Sequence, residues 1–69
     1  MDKNNYIVHA TVDKYDEGLE AHTRSNVNGT FKAYDCGGAI EKAFRKFKKD
    51  AQHPKISNTR VTIDLVDTI

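Results

Sequence analysis

Between Asp35 and Pro54 the apolar residues Ile40, Ala43, Phe44, Phe47 and Ala51 recur at intervals of three and four. That spacing lines one face of an α-helix, because side chains three and four apart stack on the same side of it. Asp35 is a suitable N-cap, and Pro54 ends the helix by restricting His53 and by being unable to continue the ladder itself. Gly37 and Gly38 weaken the first turn, so the start is expected a residue or two into that stretch. One helix can cover only one face of a sheet, and this sets the terms for the rest of the chain.

On either side of the helix the period changes from 3.6 to 2. Tyr6, Val8, Ala10 and Val12 alternate with polar His9, Thr11 and Asp13, as in a half-buried strand. Tyr15-Asp16-Glu17-Gly18 has turn composition, after which Leu19, Ala21 and Thr23 alternate with Glu20, His22 and Arg24. A loop over Tyr15 to Gly18 sets Lys14 opposite Leu19, Val12 opposite Ala21 and Ala10 opposite Thr23, which puts the apolar sets on one face. Ile7, His9, Thr11, Glu20, His22 and Arg24 then share the other face.

Asn28-Gly29 is a strong signal for a second tight hairpin, which makes Thr30 to Tyr34 a short third strand or an ordered loop. After the helix, Val61, Ile63 and Leu65 alternate with Arg60, Thr62 and Asp64 in a final strand over residues 59–68. The expected fold is a single α+β domain over residues 1–69. It has an antiparallel sheet of three or four strands in ββ(β)αβ order, with the amphipathic helix on one face.

A core built from 69 residues is thin, and a domain of this size usually gains a disulfide, a metal or a second subunit. Cys36 is the only cysteine, and with His9, His22 and His53 it shows none of the paired spacings of a zinc site. No cofactor or metal is expected, and a homodimer is the remaining means of stabilisation. A lone cysteine fits a reducing compartment, no apolar run is long enough for a membrane span, and no secretory signal is apparent. These features point to a cytoplasmic protein.

The formal net charge is only +1, but its distribution is uneven. Residues 36–52 hold five basic side chains against Glu41 and Asp50. Lys42, Arg45, Lys46 and Lys49 fall at i, i+3, i+4 and i+7, opposite the phenylalanines, and such a row suits a phosphate backbone. An amphipathic helix also needs a solvated polar face, and lysine commonly supplies it. His9 and His22 share the exposed face of the expected hairpin, where they can sense pH or join a metal site across a dimer, or serve as plain surface residues. Asp35-Cys36-Gly37-Gly38 reads as a tight helix entry, since no Walker-type Lys-Ser/Thr and no dinucleotide fingerprint accompanies it. Asp13, Asp16, Glu17 and Glu20 cluster at a turn, where solvated acids are ordinary. No nucleophile, base and oxyanion donor come together, so an enzyme is not expected.

Ala39-Ile40-Glu41-Lys42-Ala43-Phe44-Arg45-Lys46-Phe47, preceded by Asp35, resembles the last helix of the ribosome hibernation-promoting factors, the ribosome-associated inhibitor family. Gly18-Leu19-Glu20-Ala21 is similar to the opening of a strand in that family, and the resemblance covers residues 6–52. It implies a βαβββα fold like that of a double-stranded RNA-binding domain, with Lys42, Arg45, Lys46 and Lys49 along small-subunit ribosomal RNA. The family's opening β–α unit has no counterpart here.

Two kinds of partner follow. One is a nucleic acid, RNA before DNA, held on the basic helix face. The other is a protein, held by a dimeric regulator or inhibitor of phage or mobile-element type through its open sheet face or an edge strand. On that second reading His9, His22, Arg24 and Arg60 are the contact residues.

Overall fold

The computed structural model describes residues 2–69, and its element order is ββαβ. Strand β1 spans Asn4–Asp16, β2 Ala21–Ala33, the helix α1 Cys36–Ala51 and β3 Ile56–Thr68. The three strands form one antiparallel sheet in the order β2-β1-β3, with α1 on one face. The fold is therefore α+β, as the change of period implies. The βαβββα order implied by the family resemblance is not the order found.

Alternation along β1 divides the sheet into two faces. Tyr6, Val8, Ala10 and Val12 are buried beneath α1, together with Ala33 and the helix residues Ala39, Ala43, Phe47 and Ala51. The helix contributes a row at intervals of four, so three alanines bring its axis close to the sheet and Phe47 is the one large knob. Phe47 is 5 % exposed, but Phe44 is 39 % exposed, with the Lys48 ammonium 5.7 Å from its ring centroid. The expected stripe is thus rotated: Ala39 joins the core, Ile40 is half-buried and Phe44 lies at its margin.

The hairpin differs from expectation in register. Val12 lies opposite Ser25, Ala10 opposite Val27 and Lys14 opposite Thr23, four residues further along β2 than expected. A shift of four preserves facing, because side chains alternate with a period of two, and the β2 residues that pack on the core beside the β1 set are Val27, Phe31 and Ala33. The turn is 17–20, which puts Leu19 outside the strands at 69 % exposure. Asp16 Oδ1 accepts hydrogen bonds from the Gly18 and Leu19 amides at 2.9 and 3.2 Å, and Glu20 takes the left-handed conformation at φ 52°.

Asn28-Gly29 makes no turn, and the separate third strand does not exist. Strand β2 runs straight through, with Asn28 opposite His9 and Gly29 opposite Val8. The glycine serves packing instead. A Cβ there would lie 3.0 Å from Phe31 Cε2 and 3.7 Å from Phe47 Cε1. The bare backbone leaves a hollow in which Phe31 and Phe47 meet edge to face, with centroids 5.7 Å apart at 86°.

Helix α1 starts at Cys36 despite its glycines, because Asp35 caps it. Asp35 is extended at φ −148°, and its Oδ1 accepts a 2.7 Å hydrogen bond from the Gly38 amide. Gln52 ends the helix just before His53-Pro54. The connection then folds back on the hairpin, where the Glu17 amide donates to the Lys55 carbonyl at 2.8 Å. The molecule is long and narrow, with extents of 47 × 18 × 13 Å.

Candidate binding surfaces

The four cations of the expected phosphate row lie on the exposed side of α1, but three of them are engaged within the molecule. Arg45 pairs with Glu41, Lys46 Nζ lies 3.3 Å from Asp50 Oδ2, and Lys42 Nζ donates to the backbone carbonyl of Lys32 on β2. Lys49 makes no ion pair among the described residues. The i,i+4 pairs are exposed, and such pairs contribute only about 0.3–0.5 kcal/mol each, so a strong ligand can open them. They nevertheless lower the net charge that the helix presents.

On the open face of the sheet, Asp13 lies opposite Arg24 on one side and Arg60 on the other. Arg24 Nε donates to Asp13 Oδ1 at 2.7 Å, and this bond, with the carboxylate charge, holds the guanidinium above its ordinary pKa. A cation raised in this way keeps its contribution below its unfolded value and loses it only as pH rises through the folded value, so the Arg24 guanidinium stays charged across the neutral range. Arg24 is therefore engaged with Asp13, whereas Arg60, opposite the same acid, makes no ion pair among the described residues.

His9 and His22 do lie on this face, but the true register separates them. His9 faces Asn28, whereas His22 packs edge to face on Tyr15 with centroids 5.0 Å apart. Tyr15 is six residues from His9 along β1, about 20 Å at ~3.3 Å per residue, so no metal or proton can bridge the pair within one chain. Among the described residues no group of three His, Cys, Asp or Glu side chains is placed to hold a metal, and no helix is long and apolar enough to cross a membrane. Cys36 is exposed and unpaired. Asp16 and Asp35 spend their carboxylates on backbone amides, and Asp64 Oδ2 accepts from Thr11 Oγ1 at 2.6 Å.

The feature that residue patterning did not single out is the outer edge of β2. The Ile69 amide donates to the Asn5 carbonyl at 3.0 Å, so the polar backbone of Asn5 faces β3. In an antiparallel ladder a residue's N–H and C=O point to the same side and alternate along the strand. Lys32, the partner of Asn5 on β2, must therefore turn its backbone away from β1. The Lys42 contact to the Lys32 carbonyl agrees. Because the β1–β2 register has no shift, the same outward orientation extends to His22, Arg24, Asn26, Asn28 and Thr30. The edge is regular, has no proline and is uncharged from Ser25 to Phe31.

The opposite edge is built differently. The β1–β3 ladder is irregular between His9 and Ala10 and again between Asp13 and Tyr15, and Asn58 adopts φ 52° beside the second irregularity. Bulges of this kind interrupt the row of backbone groups that another strand would need. Hence β3 is a blunted edge and β2 an open one. No protein-family model matches the chain, and neither a curated protein nor a solved structure matches it.

Proposed function

We propose that this is a non-catalytic binding domain that captures an extended segment of a protein partner along the outer edge of β2. The supporting observation is the asymmetry between the edges: five outward-facing residues, His22, Arg24, Asn26, Asn28 and Thr30, in unbroken register on β2 short of the Lys32 carbonyl that Lys42 occupies, against two irregularities on β3. Strand addition gains main-chain hydrogen bonds at each outward residue, and side chains on the two faces supply selectivity. The test is amide exchange on the isotopically labelled protein. Partner binding should protect the amides of His22, Arg24, Asn26, Asn28 and Thr30 while leaving the alternate β2 amides, already bonded to β1, unchanged. Protection elsewhere with these amides still exchanging freely refutes the reading.

A second reading is supported by the row Lys42, Arg45, Lys46 and Lys49, which sits on one exposed helix side. On it the helix docks on RNA, or less favourably DNA, and a Lys42→Ala/Arg45→Ala/Lys46→Ala variant loses both affinity and salt dependence. The pairs to Glu41 and Asp50 lower the charge that this row presents, so it has less support than the first reading.

A further inference from the structure

We propose, resting on the strand-capture reading, that the segment taken up by β2 is acidic at one end. There two consecutive carboxylate side chains meet Lys32 on the open face of the sheet and Lys42 on the helix face.

The free edge has a defined end. Lys42 reaches from α1 to the Lys32 carbonyl and so occupies the last outward acceptor of β2. An added strand can therefore pair from His22 to Thr30 and must stop at this ammonium. An ammonium has three donors, and the Lys32 carbonyl takes one of them. The other two remain for the place where the added strand ends. Lys32 follows the opposite facing, since Phe31 and Ala33 turn towards the helix and Lys32 alternates with them.

Two cations thus bracket one position, one on each side of the sheet. Successive side chains of an extended strand also point to opposite faces. The match is therefore two adjacent acids rather than an alternating pair. The acid nearby, Asp35, is committed to the Gly38 amide, and the Lys3 ammonium lies 5.3 Å from the Tyr34 ring centroid at the same end, adding positive charge. Strand β2 carries Arg24 and Lys32 and no acid of its own.

The same charges argue against a second copy as the occupant. Pairing two β2 strands about Val27 sets Lys32 of each copy opposite His22 of the other and brings no carboxylate to Lys42. The central stretch Asn26-Val27-Asn28-Gly29-Thr30 is neutral, so the middle of the captured segment is uncharged and β-prone.

The experiment is affinity selection from a random library of peptides long enough to span His22 to Lys32. It is run in parallel on the wild-type chain, on Lys32→Glu/Lys42→Glu and on Asn28→Pro, which removes an outward donor. Wild type should enrich peptides with two successive Asp or Glu residues near one end. These should lose about tenfold or more in affinity for the charge-reversed variant. That variant should instead enrich paired Lys or Arg, a swap that a merely structural role for the lysines would not produce.

Enriched peptides that lack the acidic pair but lose binding to Asn28→Pro overturn this inference and leave strand capture standing. Peptides that bind Asn28→Pro as tightly as wild type, or no enrichment at all, overturn both. Should the proline variant be unfolded, amide exchange on the wild-type complex tests the edge in its place, and free exchange of the outward β2 amides overturns both. Protection of the β2 edge in concentrated protein without peptide makes a second copy the occupant. Tight binding of single-stranded RNA, lost in Lys32→Glu/Lys42→Glu, makes the lysines a phosphate site. Either result overturns the inference.

Discussion

Replacing Phe47 or Phe44 by alanine tests the rotation of the helix, because sequence periodicity places both rings inward and the tertiary structure admits only one. Phe47 is 5 % exposed and seated against Phe31 over the bare backbone of Gly29. Truncating a buried phenylalanine costs about 3–5 kcal/mol, and a core of this size supplies roughly 3–5 kcal/mol in all. Phe47→Ala should therefore be largely unfolded at room temperature. Phe47→Leu keeps most of the volume but loses the edge-to-face contact, and should cost about 1–2 kcal/mol. Phe44 keeps 39 % of its surface in water. Its truncation forfeits about half of a full ring's transfer energy and regains some helix propensity, a net loss of about 1 kcal/mol. That corresponds to a fall of about 4–8 °C in melting temperature for a domain of this length. Far-ultraviolet circular dichroism during urea and thermal unfolding measures all three. Equal losses for Phe44→Ala and Phe47→Ala, or a Phe47→Ala chain that melts within a few degrees of wild type, would refute this account of the packing.

Substitutions at four further positions probe separate links. Asp35→Ala leaves the Gly38 amide without its acceptor and should cost about 1 kcal/mol, with Asp35→Ser recovering most of it in the same unfolding assay. Gly29→Val forces Phe31 away from Phe47 and should destabilise by about 1–3 kcal/mol, and a stabilised variant would deny the hollow its role. Thr23 Oγ1 is shielded from solvent without a hydrogen-bond partner among the described residues, so Thr23→Val, similar in shape, should be neutral or raise stability by about 1 kcal/mol. Glu20 holds a left-handed conformation that costs an ordinary residue about 1 kcal/mol, and Glu20→Gly should raise the denaturation midpoint slightly.

Local signals read well where one interaction dominates. The Asp35 cap outweighs the low propensity of Gly37 and Gly38, because a charged acceptor on the Gly38 amide recovers an unpaired donor at the helix start. The facing of β1 survives a difference of four residues in hairpin register, since an even slip leaves every side chain on its own side. Asn28-Gly29 misleads for the opposite reason. Its turn preference is local, whereas the same glycine is claimed by two aromatic rings from β2 and α1, which meet only because α1 packs across the sheet. The surface cations divide in the same way: their row is visible in the i,i+3,i+4 spacing. That Glu41 and Asp50 each neutralise one, while Lys42 reaches down to the sheet, depends on where the helix sits over β2.

Sequence alone determined the α+β class, the facing of β1 and the presence of the capped helix before Pro54, because these follow from periods of 2 and 3.6 and from one capping carboxylate. The tertiary structure decided strand order, hairpin register, the inward phenylalanine and the open edge. Each of these depends on which backbone and side-chain groups, distant along the chain, compete for the same space or the same hydrogen-bond partner. No local pattern records the outcome of that competition. Whether the backbone of Lys32 faces β1 or solvent follows from how β1 is shared between β2 and β3, with Asn5 bonded to Ile69 at the other end of the chain and so turned away from Lys32.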